Sequence, residues 1–166
     1  ARRTLAAEVR AGALPREVGA RRDAVLALAE ARVAEEAGDA ARAHDAALEA
    51  NRRSPALAPA AVAAARALAA QNQVSKAEKV LRQAWKLSPH PEIAGAFAAL
   101  VPDESPEDRR RRFKGLTAET PDHPESRMLE AELALAAEDF PGARRALGDL
   151  PTTRPTTRSL AIMAAV

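Results

Sequence analysis

Residues 58–89 read APAAVAAARALAAQNQVSKAEKVLRQAWKLSP, and this stretch decides the fold. Alanines and leucines recur at intervals of three and four residues on both sides of Asn72, and the stretch ends at Pro89. That spacing places apolar side chains on one face of a helix. Because Asn tolerates the backbone geometry of a turn, the stretch predicts two helices joined at Asn72.

The same pattern repeats along the chain with a nearly constant period. Prolines follow one another at intervals of 34, 32 and 34 residues, at Pro55, Pro89, Pro121 and Pro155. Twelve residues before each proline lie Ala43, Ala77, Arg109 and Ala143, and eight residues before lie Ala47, Leu81, Phe113 and Leu147. A small residue, a larger one and a proline at these offsets are typical of the tetratricopeptide (TPR) repeat of about 34 residues. The period predicts an all-α, TPR-like right-handed solenoid of antiparallel helix hairpins.

We assign the whole chain to a single TPR domain with four repeats and partial units at both ends. The repeats are 24–55, 58–89, 90–121 and 124–155, and the partial units are 1–14 and 158–166. The third repeat is two residues short, and Arg109 occupies its small-residue position. We therefore expect the second helix of that repeat to be displaced from ideal packing.

Composition argues against several classes of function. The chain has 25 basic and 23 acidic residues, one Trp, three Phe and no Tyr, which is too balanced and too poor in aromatics for a typical nucleic-acid binder. It has no Cys, so disulfides and thiolate metal sites are excluded. No apolar run approaches the roughly 18–20 residues that span a bilayer. We find no catalytic motif and expect neither an enzyme, a metal site nor a cofactor.

Four segments carry a narrower resemblance, which covers the chain from about Arg22 onward. They are EANRRSP (49–55), KAEKVLRQAWKLSPHPEIAGAFAAL (76–100), DESPEDRRRRFKGL (103–116) and TPDHPESRMLEAELALAAEDFPGARRAL (120–147). With its non-consensus third repeat and its PHP and DHPES elements, the chain resembles the HemY family of heme-biosynthesis-associated TPR proteins. It does not resemble the unrelated flavin-dependent oxidase that shares this name.

The resemblance implies a setting and a role. Members of this family are bacterial inner-membrane proteins in which membrane helices precede a TPR region, and they are linked to late heme biosynthesis. The chain would be the soluble, cytoplasmic C-terminal part of a membrane-anchored parent. Its implied function is a non-catalytic scaffold that binds protein partners, among them heme-biosynthesis enzymes. A generic peptide-binding TPR module without a heme connection, and a heme- or porphyrin-handling protein, remain alternatives.

Arg32 and Arg66 are the leading candidates for partner binding. They lie 34 residues apart, at the same position of two successive first helices, which line the concave groove of a TPR stack. Two guanidinium groups there could bind a carboxylate or an acidic peptide, or they could simply be solvated. The full set of predicted groove residues is Arg32, Arg66, Leu28, Glu35, Val62, Met128 and Glu132.

A run of four arginines, Arg109, Arg110, Arg111 and Arg112, is the densest charge cluster. It could dock an acidic protein or anionic lipid headgroups, or it could pair with neighbouring acids. The three histidines, His44, His90 and His123, lack the spacing of a helical metal pair, which leaves heme contact as the weaker alternative. Trp85 and Phe97 are expected in the core.

The chain starts without Met and stops within a helical pattern, so we interpret it as a fragment. Terminal repeats normally need a cap. We therefore expect the apolar end formed by Leu160, Ile162 and Met163 to fray or to pair with a second copy, giving a dimer through the cut ends.

Overall fold

The computed structural model describes residues 1–166 and contains helices but no strand, which confirms the predicted all-α class. The helices are α1 (Arg2–Arg10), α2 (Arg16–Glu36), α3 (Ala40–Arg53), α4 (Ala58–Ala70), α5 (Val74–Leu87), α6 (Pro91–Ala99), α7 (Pro106–Thr117), α8 (Pro124–Ala136), α9 (Phe140–Leu147), α10 (Leu150–Thr153) and α11 (Thr157–Ala165). None of them combines the length and the apolar character needed to cross a membrane.

The chain divides into two compact units, Ala1–Ser88 and Pro89–Val166. In the first unit α1 packs on α2, and α2 through α5 pack successively, each on the next. In the second unit α8 is the central helix, because α6, α7, α9 and α11 all contact it.

Three helix–helix turns share one backbone geometry. The hairpins α2–α3 and α4–α5 turn at Gly38 and Asn72, and α8–α9 turns at Glu138, with φ angles of 74°, 60° and 57°. The amide after each turn residue donates to a carbonyl five residues back, over 2.9 Å for Asp39, 3.0 Å for Gln73 and 2.9 Å for Asp139. This is the Schellman arrangement, which satisfies carbonyls left open at a helix end. The turn predicted at Asn72 is confirmed, and Gly38 is the residue type that ends a helix in this conformation at the least steric cost.

Alanines form most of the core of the first unit. On α2 the buried residues include Ala24, Ala27, Ala31 and Ala34, none more than 3% exposed. On α4 the side chains of Ala60, Ala61, Ala64 and Ala65 are equally buried. Because alanine carries a single methyl group, helices that meet through it can approach closely and bury their backbones as well as their side chains.

The outer face of α2 carries larger apolar residues than its inner face. Val18, Val25 and Val33 are 40%, 52% and 61% exposed. At about 100° per residue they point roughly opposite to the buried alanines. The usual arrangement of an amphipathic helix, with the bulkier apolar side chains inside, is therefore inverted.

In the second unit α6 and α7 are joined by side chains rather than by close approach of their backbones. The rings of Phe97 and Phe113 meet edge to face with centroids 4.9 Å apart, and the Arg112 guanidinium lies over the Phe97 ring at 4.5 Å. The displacement from ideal repeat packing that Arg109 leads us to expect stays a prediction. Trp85 and Phe97 are both fully buried, as predicted.

The C-terminal end differs from the sequence prediction. Ile162 is only 5% exposed and belongs to a core cluster with Ala131, Ala134 and Leu147, whereas Leu160 and Met163 are about half exposed. The expectation that all three residues form an uncovered apolar end is wrong for Ile162, because α11 packs back on α8 and α9. The dimer through the cut ends stays a prediction.

The Glu138→Gly variant should be more stable than the wild type by about 0.5–1 kcal/mol, because glycine adopts a left-handed φ without the steric penalty of a Cβ atom. Asn72→Gly is the matched control, with a smaller expected gain since Asn tolerates this conformation. Thermal and urea unfolding followed by circular dichroism measure both. Equal or lower stability of Glu138→Gly would show that the turn is not strained.

Candidate partner-binding surfaces

Arg32 and Arg66 occupy equivalent positions in two hairpins of the first unit. Each lies six residues before its turn residue, Gly38 or Asn72, on α2 and α4 respectively. Both side chains are exposed, and neither forms a hydrogen bond or ion pair within the chain. Two guanidinium groups without internal partners are thus available on helices that contact each other.

The other predicted groove residues of the first unit differ in how much surface they offer. Glu35 is exposed, and Leu28 is half-buried against a cluster that includes Ala24, Ala27 and Leu57. Val62 is only 8% exposed, so its side chain belongs to the core. We therefore remove Val62 from the predicted groove: it lies one turn before Arg66 on the same side of α4, but its side chain is covered within the chain.

Met128 and Glu132, the predicted groove residues of the second unit, contact the C-terminal part of their own chain. Arg158 donates two hydrogen bonds of 2.6 Å to the Glu132 carboxylate and also pairs with Glu125. The hydroxyl of Thr156 lies 3.9 Å from the sulfur of Met128. The hydrogen bond to Glu132 is the main reason why the pKa of Arg158 is raised. A partner at this face of α8 would compete with α11 and the residues before it.

Every arginine of the run at 109–112 has a carboxylate partner. Arg109 and Arg112 pair with Glu104, Arg110 with Asp139 at 2.8 Å, and Arg111 with Asp108 at 3.0 Å. The Asp139 carboxylate also accepts from the Gly142 amide, and this bond, followed by the one from Arg110, lowers its pKa. Pairing within the chain therefore accounts for these charges, and only Arg111 keeps most of its side chain, 77%, exposed.

Glu104 is the centre of this ion-pair cluster. Its side chain is only 8% exposed and accepts two hydrogen bonds from Arg112, of 2.8 Å and 2.6 Å, and a longer one from Arg109. Arg112 also donates to the Phe97 carbonyl at 2.9 Å. The bonds from Arg112 are the main reason why the pKa of Glu104 is lowered. The cluster ties the loop before α7 to both α6 and α7.

A pocket of about 350 Å³ opens between α7, α8 and α9. Its lining combines apolar side chains with a charged rim: Arg110, Phe113, Lys114, Glu130, Leu133, Gly142, Arg145 and Ala146. Glu130 accepts a 2.7 Å hydrogen bond from Thr117. Sequence reasoning missed this pocket. The only signal was the spacing of Arg110 and Lys114, which lie one helical turn apart.

His90 and His123 cap helices. The Nδ1 atom of His90 accepts from the Glu92 amide at 3.3 Å at the start of α6, and that of His123 accepts from the Glu125 amide at 3.1 Å at the start of α8. In both cases Pro occupies the first helical position. The third histidine, His44, contacts the Ala67 carbonyl at 3.3 Å. The His-Pro-Glu pattern at both sites therefore has a structural explanation, and no three His, Cys, Asp or Glu side chains group into a metal site.

The chain is an all-α protein containing three helix hairpins with a common turn. No protein-family model matches it, and no curated protein or solved structure is significantly similar to it.

Glu104→Gln should destabilise the protein by about 3 kcal/mol at neutral pH, because the Arg112 side chain, only 15% exposed, loses the Glu104 carboxylate. Since the folded pKa of Glu104 lies below its usual 4.5, the ion pair stabilises the fold above that pH. Its contribution disappears as the pH falls from 4.5 through the folded pKa. Urea unfolding of both proteins from pH 7 to pH 3 measures the difference, and a pH-independent difference would contradict this role.

His123→Ala should lower stability by about 1 kcal/mol, because the Glu125 amide loses its acceptor, whereas His123→Asn should restore most of it. For a chain of this size the loss corresponds to a fall in Tm of about 2–4 °C. The same pair of substitutions at His90 provides an independent copy of the test. If Ala and Asn at these positions are equally destabilising, the imidazole acts through packing and not as a cap.

Proposed function

We propose that the chain is a non-catalytic, TPR-type scaffold that binds an acidic segment of a protein partner. Two features support the repeat assignment. The turns at Gly38 and Asn72 lie 34 residues apart and share one hydrogen-bonding pattern, and the proline and small-residue positions follow the same period. Helical repeats of this kind expose a continuous face made by equivalent positions of successive units, and such faces serve as binding surfaces.

The observation that carries the proposal is the pair of unpartnered arginines. Arg32 and Arg66 recur at one repeat position, on helices that contact each other, without any internal carboxylate. The other arginine cluster, at 109–112, is paired throughout. Guanidinium groups form bidentate bonds with carboxylates, so two of them favour a partner segment that carries at least two acidic side chains.

The resemblance to the HemY family supplies the biological setting of the proposal. On that basis the partners are enzymes of late heme biosynthesis, and the region lies on the cytoplasmic side of a bacterial inner membrane, tethered by its parent. A generic TPR module without a heme connection is the second candidate. The caps made by His90 and His123 explain both turn histidines without heme, so no structural feature favours heme handling.

Binding of purified late heme-pathway enzymes tests the proposal. The double variant Arg32→Glu/Arg66→Glu should weaken the affinity of the wild type by at least tenfold, because both guanidinium contacts become repulsive. Arg42→Glu is the matched control, since Arg42 is an exposed arginine of α3 whose side chain has no internal partner. Unchanged affinity of the double variant would refute the arginine site. Binding of acidic peptides but of none of the enzymes would favour the generic module.

A further inference from the structure

The exposed face of α2 carries a short apolar stripe, which we define as Val25, Ala29 and Val33. All three side chains are exposed, and they fall within a sector of about 80° on the helix. From Val25 to Val33 the stripe is about 12 Å long, and Val18 lies beyond it on the far side of Arg22. Exposed valines along a whole helix are unusual, because a helix in a soluble protein normally turns its larger apolar residues inward.

Two charged residues frame the stripe. Arg22 and Glu36 lie on the same face of α2, and both are exposed without a hydrogen bond or ion pair of their side chains. Arg22 precedes Ala29 by seven residues and Glu36 follows it by seven, while Val25 and Val33 lie four residues on either side. Val25 and Val33 are therefore placed symmetrically about Ala29, and the two residues at the ends of the stripe carry opposite charges; Arg32, at the edge of the same face, has no counterpart because Leu26 occupies the matching position.

This arrangement is self-complementary for an antiparallel pair of identical helices. We propose that a second copy of the chain docks on this stripe, α2 against antiparallel α2, with the two-fold axis at Ala29. Val25 of one copy then packs on Val33 of the other, and Arg22 pairs with Glu36. Each of these contacts occurs twice, as in any isologous interface. The small side chain of Ala29 allows the two helices to approach closely where they cross.

Charge and shape favour a second copy over an unrelated helix. An unrelated partner would need an apolar stripe flanked by one acid and one base at matching distances, whereas the same chain provides this automatically. One helix pair buries less than a standard interface, so the dimer is expected to be weak, with a Kd on the order of micromolar. The proposal goes beyond the scaffold function. Because Arg32 lies three residues after Ala29 on the same exposed face of α2, the dimer and an acidic partner would compete for that helix.

A charge-swap series tests the pairing. Sedimentation of the wild type from about 1 to 500 µM should show a monomer–dimer equilibrium. Arg22→Glu and Glu36→Arg should each raise the dimer Kd by at least tenfold, because each creates two like-charge pairs. The double variant Arg22→Glu/Glu36→Arg restores opposite charges and should return the Kd to within about threefold of the wild type. Arg42→Glu on α3 is the control and should leave it unchanged.

The absence of cysteine allows a second, geometric test. A residue on a two-fold axis faces its own copy, so Ala29→Cys should form a disulfide-linked dimer under mild oxidation. Ala70→Cys, an exposed alanine of α4, is the control and should remain mostly monomeric. Efficient cross-linking at position 29 together with charge-swap rescue supports the proposal.

Three results would overturn the proposed α2–α2 dimer. The first is a wild type that stays monomeric up to 500 µM. The second is a dimer that survives the single charge changes, and the third is a double charge swap that fails to restore the dimer. A dimer lost instead on Leu160→Ser/Met163→Ser also overturns it, because it places the interface at the C-terminal helix. The partner-binding test with Arg32→Glu/Arg66→Glu is made at concentrations below the dimer Kd, where the chain is monomeric, so that the two proposals can fail separately.

Discussion

Close helix contact through alanine is the constraint on which the first unit depends. The inner faces of α2 and α4 are made almost entirely of alanine, with Leu68 as the largest buried side chain of α4. Each alanine removes little apolar area from water, so stability requires many such contacts at short distance and no intervening bulk. A larger residue at Ala27 or Ala64 would separate the helices and lose many contacts for each one gained.

The second unit meets the same packing requirement with larger side chains at α6 and α7. At α6 and α7 the core positions hold Phe97 and Phe113, and the helix backbones stay apart. The space next to the two rings is occupied by the Arg112 guanidinium, which is held by Glu104. A planar cation can stack on aromatic faces while bonding a carboxylate at its edge. The arginine run, which looks like a surface patch in the sequence, thus contributes one member to the structure of the core.

Sequence reasoning succeeded where local chemistry decides the structure and failed where neighbouring elements decide it. The turns at Gly38 and Asn72 follow from the local preferences of single residues, so they were predictable. The same holds for the start of α7, where the Ser105 hydroxyl accepts from the Asp108 amide and caps the helix. The left-handed Glu138 was not, because only the hairpin packing of α8 on α9 forces a non-glycine residue into that conformation. Likewise the burial of Val62 and Ile162 depends on which helix covers them, and periodicity alone does not carry that information.

Because the inner face of α2 is limited to alanine, the larger apolar residues of this helix lie on its exposed face. That placement makes the exposed face a candidate interface. An inner face limited to alanine leaves valine no place in the core, but nothing in folding requires valine on the outside. Valine is a weaker helix former than alanine, lysine or glutamate by roughly half a kcal/mol per residue, and exposing it gains no hydrophobic energy. Three exposed valines on one line therefore cost stability in the isolated chain. Burial against another molecule offsets that cost, and the opposite charges at equal distances from Ala29 indicate that the molecule is a second copy of the chain.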